Sequence, residues 1–263
     1  MIRYLLIVVF FVVNMDSFGQ ESLSFNERNY ISVKNEFSHF SKDLKPWNTS
    51  SVETNFVKNS WSFQTKVTVS NRFSKSGWLL DQEVYKKFKS KDYLYLTAGV
   101  SSSSMFHNFH ISGEYFNTFK STWEHSYGLK FTQFSDSLFS IIGTTSISKY
   151  NGRFLTIIRA NAGYQNSSVI NTLNVNIKQR YYNSDDSSSD LTIGYGYNSN
   201  LILFENNDNI QLTENRTFVV GLNTFQKLSK RWYLNSNYSF QWFDFGNVER
   251  NQYSYSLSFY YTW

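Results

Sequence analysis

From Tyr30 to Trp263 the chain alternates apolar and polar residues at a period of two, and no stretch sustains a 3.6-residue period. Its last eleven residues, YSYSLSFYYTW, set Trp263, Tyr261, Phe259, Leu257, Tyr255 and Tyr253 on one face. Thr262, Tyr260, Ser258, Ser256 and Ser254 fall on the other. WSFQTKVTVS, NTLNVNIKQRYY, DLTIGYGYN and RWYLNSNYSFQW repeat the pattern. In the second of these, Leu173, Val175 and Ile177 oppose Asn174, Asn176 and Lys178. Such strands either pack as a sandwich, with the apolar faces inside, or close into a membrane barrel with those faces toward lipid.

Strand number and aromatic placement favour the barrel. The pattern gives about 14 strands, near 30–40, 47–57, 61–71, 78–88, 93–101, 106–116, 123–133, 137–147, 153–164, 169–182, 190–198, 215–226, 231–243 and 251–263. The segments 47–57 and 137–147 are the weakest, and without them the count is 12. Either even number suits an all-β, antiparallel up-and-down barrel with both termini in the periplasm. Connections on the periplasmic side would be KNS, KSKD, NTFKST, SKYNG, YNSDDSSS and KLSK. The other side would carry the longest one, SNLILFENNDNIQLTE. YNSDDSSS is long for its side. All seven tryptophans, Trp47, Trp61, Trp78, Trp123, Trp232, Trp242 and Trp263, fall at strand ends. Indole favours that level of a bilayer, where the ring is half buried and its N–H stays wet.

The first twenty residues have one early cation, Arg3, an apolar run from Tyr4 to Val13, and then Ser17 and Gly19 at the positions that precede cleavage before Gln20. That is the pattern of a secretory signal peptide over residues 1–19. Residues 20–29 form a short N-terminal segment, and 30–263 form the barrel domain. The chain has no cysteine and one proline, Pro46. Disulfides and thiolate metal sites are thereby excluded, and continuous strands are favoured. Mean hydropathy is −0.43, which a barrel with a polar interior reaches because half of each strand is hydrophilic. The net charge of +5 comes from scattered basic residues. Nucleic acid is therefore not an expected partner.

The stretches PWNTSSVE, NRFSKSGWLLDQEVYKKFKSKDYLYLTAGVSSSSMF, GEYFNTFKSTWEHSYGLKF and KQRYYNSDDSSSDLTIGYGYNSN together resemble the YaiO family of outer-membrane β-barrels. The likeness spans roughly residues 30–200. It implies a Gram-negative, porin-like cell-envelope barrel embedded in outer-membrane lipid, with a possible glycan or other envelope partner and a link to polysaccharide export. The aromatic C-terminal strand is similar to the signal read by the outer-membrane assembly machinery.

The one constellation suggesting chemistry is His110, Ser112 and Glu114, which a strand aims at one side. A nucleophile, a base and an orienting acid on one face would suit an esterase or deacylase acting on lipid or glycan. Residues two apart on a strand stand roughly 7 Å apart, however, too far for a direct relay. A lumenal polar ladder is the plainer reading, so no enzyme activity is expected. His125 falls on the lipid side. Charges expected in the lumen are Lys34, Glu36, Asp81, Glu83, Lys87, Glu114, Lys130, Arg159, Lys178 and Arg180. With both signs present, they would either pair across the barrel and brace opposite walls or line a small aqueous path. No phosphate loop or histidine-based metal spacing is visible, so neither cofactor nor metal is expected.

Overall fold

A computed structural model describes residues 28–41, 45–72, 75–88, 92–103, 106–166, 171–202, 211–244 and 249–263. The expected signal peptide and most of the 20–29 segment lie outside them. Fourteen strands follow one another: β1 (Tyr30–Phe40), β2 (Trp47–Lys58), β3 (Trp61–Arg72), β4 (Lys75–Lys87), β5 (Tyr93–Ser101), β6 (Phe109–Lys120), β7 (Trp123–Ser135), β8 (Leu138–Asn151), β9 (Phe154–Gln165), β10 (Asn171–Ser184), β11 (Ser187–Ile202), β12 (Gln211–Lys227), β13 (Trp232–Asp244) and β14 (Glu249–Thr262). Each pairs antiparallel with its sequence neighbours, and β1 closes on β14 from Tyr30↔Thr262 to Phe40↔Gln252. Closure leaves no strand edge unpaired, as a sheet in hydrocarbon requires. Both weak segments, now β2 and β8, are strands, which settles the count at 14. No helix among the described residues is long and apolar enough to cross a membrane.

Connections at the end carrying both termini are tight. Asn59–Ser60, Ser121–Thr122, Gly152–Arg153 and Asp185–Asp186 each join two strands directly. Asn59 and Gly152 adopt positive φ, at 56° and 58°, the conformation that short hairpin turns demand. YNSDDSSS is therefore not a long loop: all but Asp185 and Asp186 continue the ladders of β10 and β11. Its serines and asparagine sit at strand ends beside the turn, where Asn183 and Ser184 are exposed, so their composition imitates a loop. β11 and β12 also run beyond the expected 190–198 and 215–226 at the far end, while β6 begins at Phe109 rather than 106.

Inside and outside are inverted relative to a soluble fold. Leu129 is 60% exposed, while Ser126, on the opposite face of β7, is 0% exposed. Val33, Phe56, Leu173, Ile193 and Leu222 are exposed outward in the same way. Serine ladders link strands on the inner face: Ser38 to Ser254 at 2.7 Å, Thr49 to Ser70 at 2.8 Å and Ser126 to Ser146 at 2.5 Å. The few polar groups on the outer face pair with each other, as Thr65 does with Gln82 and Thr156 with Gln179, at 2.7 and 2.8 Å. A polar group facing hydrocarbon is costly unless bonded.

Six tryptophans, Trp61, Trp78, Trp123, Trp232, Trp242 and Trp263, share the outward register. Trp47 does not. It pairs with inward Ser38 and packs inside the barrel against Phe40, with ring centroids 4.3 Å apart. The guanidinium of Arg72 lies 4.5 Å over its ring. That cation gives an indole at the rim an inward partner, which position along the strand did not reveal.

Arg28, two residues before β1, is clamped at this end. Arg28 bonds Asp186 at 2.6 Å and donates to the Tyr233 hydroxyl, while Lys227 reaches Asp186 at 2.6 Å. Burial opposes ionisation of Asp186, but the hydrogen bond and charge of Lys227 and the charge of Arg28 prevail and hold its carboxyl below the ordinary value. A lowered folded pKa stabilises above the unfolded value and is lost as pH falls through the folded one. Wild type should therefore melt above Asp186→Asn at neutral pH, and the gap should close below about pH 4. A gap unchanged by acid would show that the clamp contributes nothing.

Candidate functional site

The lumen has three zones. At the termini-bearing end, aromatic side chains line the inside. Tyr93 stacks on Phe116 at 4.2 Å, Tyr85 leans on Tyr95 at 4.6 Å, and Phe225 contacts Tyr233 and Tyr260 at 5.5 and 5.7 Å. Tyr30 and Tyr233 are fully buried in this girdle. Tyr30 donates to Glu53 at 2.6 Å, and Tyr93 to Glu124 at 3.3 Å.

The middle zone is charged on one side and neutral on the other. Register places Asp81, Glu83, Lys130, Arg159, Lys178 and Arg180 on the inner face. Their ion pairs run along the wall rather than across the lumen. Arg159 reaches Glu114 three strands away at 2.8 Å, and the same carboxylate accepts a bond from Ser126 at 2.5 Å. Arg180 grips Asp190 on the adjacent strand through two bonds of 2.7 and 2.8 Å. The expected bracing of opposite walls is therefore corrected to a lateral belt: charges a few strands apart meet without spanning the bore. On β12, β13 and β14 the inner face is neutral, lined by Asn223, Asn237, Ser239, Ser254 and Ser256. Among the charged strands, Thr144 of β8, Asn161 of β9 and Asn174 of β10 form a continuous hydrogen-bonded row, each step 2.7 Å.

At the far end, the connection between β5 and β6 folds inward. Ser101 Oγ donates to the His107 carbonyl at 2.8 Å, and Phe106 N donates to the Ser103 carbonyl at 3.0 Å. Phe106 is thereby buried under Arg72, whose guanidinium lies 5.3 Å from its ring.

This fold-back also brings His107 beside His110. His110 Nδ1 contacts His107 Nε2, and its Nε2 meets Thr97 Oγ1 at 3.2 Å and Asp81 Oδ1 at 3.7 Å. Burial, together with the charge of Lys130, lowers His107 to about 4, so the ring is neutral at pH 7.

His110, Ser112 and Glu114 do share the inner face, but they do not form a relay. His110 turns to Asp81, Thr97 and His107, and Glu114 turns to Ser126 and Arg159. Among the described residues no hydrogen bond joins the three. The group that does converge is Asp81, His107 and His110, whose ligand atoms all lie within 4.8 Å of one another. His107 and His110 stand three apart in HNFH, but Asp81 comes from β4, two strands away, so spacing in the sequence did not announce the group of three. His125 sits on the outer face, bonded to Thr145 at 3.1 Å.

An apolar outer belt, a polar lumen and complete closure define an outer-membrane β-barrel. The YaiO membrane beta barrel domain matches residues 28–201, and the chain belongs to that family. No curated protein sequence matches the chain. Among solved structures it is similar to a bacterial polysaccharide outer membrane secretin, with TM-score 0.61 and 8% identity over 91% of this chain and 100% of that one. It is also similar to the CymD monoaromatic hydrocarbon channel, with TM-score 0.61 and 6% identity over 94% and 93%. A third is Omp33 of Acinetobacter baumannii, with TM-score 0.53 and 9% identity over 90% and 100%. At these identities the likeness shows the fold alone.

Proposed function

We propose that the barrel is a non-enzymatic, narrow conduit for small hydrophilic solutes, with its termini in the periplasm and the tyrosine girdle as its constriction. The observation that carries this reading is the middle zone, where polar side chains from every strand line the inner face. Lys34, Glu36, Glu53, Arg159, Lys178 and Arg180 remain partly exposed there. Charge that stays hydrated inside a low-dielectric shell favours water and ions over a dry core. The separated His110, Ser112 and Glu114 give no support to an esterase or deacylase. A link to polysaccharide export draws support from the row of amides and hydroxyls in the middle zone together with the tyrosines at the termini-bearing end, groups that hydrogen-bond and pack against sugars. On this reading the surrounding partner is outer-membrane lipid, and β14, with its outward aromatics, is the strand presented to the assembly machinery.

Purified full-length protein in planar bilayers should show small, discrete conductance steps. Tyr85→Ala/Tyr95→Ala should enlarge them by opening the constriction. A folded barrel that is silent both as wild type and with the girdle thinned would overturn the conduit. Passage of neutral oligosaccharides in a vesicle-swelling assay would favour the polysaccharide link, and their exclusion would remove it.

A further inference from the structure

We propose that Asp81, His107 and His110 form a binding site for one divalent transition-metal ion of the zinc type at the outer end of the lumen. Two imidazoles and one carboxylate are a donor set suited to such ions, and three protein ligands leave a position for water. Asp81 and His110 belong to β4 and β6, and both lie directly opposite Gly99 on the intervening strand β5. A Cβ at Gly99 would strike both Asp81 Oδ1 and the His110 ring, so the missing side chain is what lets the two converge.

Both strand ligands are buried. Thr97 Oγ1 fixes the orientation of His110 from behind, the role that outer partners play around metal-bound histidines. With its Nε2 proton directed at Thr97, His110 presents the Nδ1 lone pair to the His107 side, where a second nitrogen already waits. His107 comes from the β5–β6 connection, so an ion held here ties that connection to the wall. Lys130 lies within electrostatic reach of all three ligands and opposes a cation.

The test uses untagged, full-length protein folded in detergent and titrated with Co2+ and Zn2+, with Mg2+ as control. Wild type should bind one Co2+ per chain, with ligand-field bands that Zn2+ abolishes and Mg2+ does not. Because His107 is outside the strands, His107→Ala should fold normally and weaken binding by at least about a hundredfold, while Thr97→Val should weaken it roughly 10–100-fold. Gly99→Ala should abolish binding, and Lys130→Met should tighten it. Failure of wild type to bind Co2+ or Zn2+ would overturn the site. So would binding that survives His107→Ala and Gly99→Ala in folded protein.

Discussion

Asp190→Asn is expected to lower the unfolding free energy of the barrel by about 3 kcal/mol, the low end of the roughly 3–5 kcal/mol lost when a buried ion pair is broken. The Asp190 side chain is 3% exposed, and both of its oxygens accept from Arg180. Asparagine keeps the shape but offers one acceptor in place of two and carries no charge, so Arg180 is left with its cation uncompensated. The low end applies because 32% of the Arg180 side chain remains exposed and water in the lumen screens it. Arg180→Met should cost more, since it strands a carboxylate with almost no access to water. The double change Asp190→Leu/Arg180→Met should recover part of both losses, because an apolar pair of similar volume has no charge to desolvate. Urea unfolding in lipid vesicles, followed by tryptophan fluorescence, measures all four proteins. Strictly additive losses would show that the two residues do not act as a pair.

The barrel was legible because lipid on one side and a polar lumen on the other impose a period of two on every strand. Register carries that period around the closed sheet, which is why the inner register of the ten charges assigned to the lumen followed from counting. Contacts between strands were less legible. The Glu114–Arg159 pair joins residues 45 apart in the chain, and no local pattern encodes which inward charge meets which. Trp47 shows the same limit: its position at a strand end suited a lipid boundary, but its partners Phe40 and Arg72 come from other strands. Asp81, His107 and His110 were hidden for a further reason. Their convergence depends on an absent side chain at Gly99 and on a connection folded into the mouth, and His107 had no periodic face to be assigned to.

Val175→Arg should destabilise the barrel by about 2–4 kcal/mol, the cost of a cation facing lipid near the bilayer midplane. Val175 lies in the middle of β10 between Ala160 and Tyr195, 44% exposed on the outer face. Against a typical stability of about 5–15 kcal/mol that loss is readily measured. The control must be an inward residue at mid-strand with room and no like charge opposite. Asn176 fails this condition, since its partner on β9 is Arg159 and a second cation there would be repelled. Ser239 meets it, being flanked by Gly221 and Ser254 on the neutral wall. Ser239→Arg should therefore fold with nearly unchanged stability, its guanidinium extending into the hydrated lumen. Both mutants would be compared by urea unfolding in vesicles, and spin labels at 175 and 239 fix the environments. The label at 175 should be relaxed by oxygen dissolved in lipid, and the label at 239 by a water-soluble paramagnetic reagent. A label at 175 that senses no lipid, or equal losses from the two arginines, would contradict the assignment of faces.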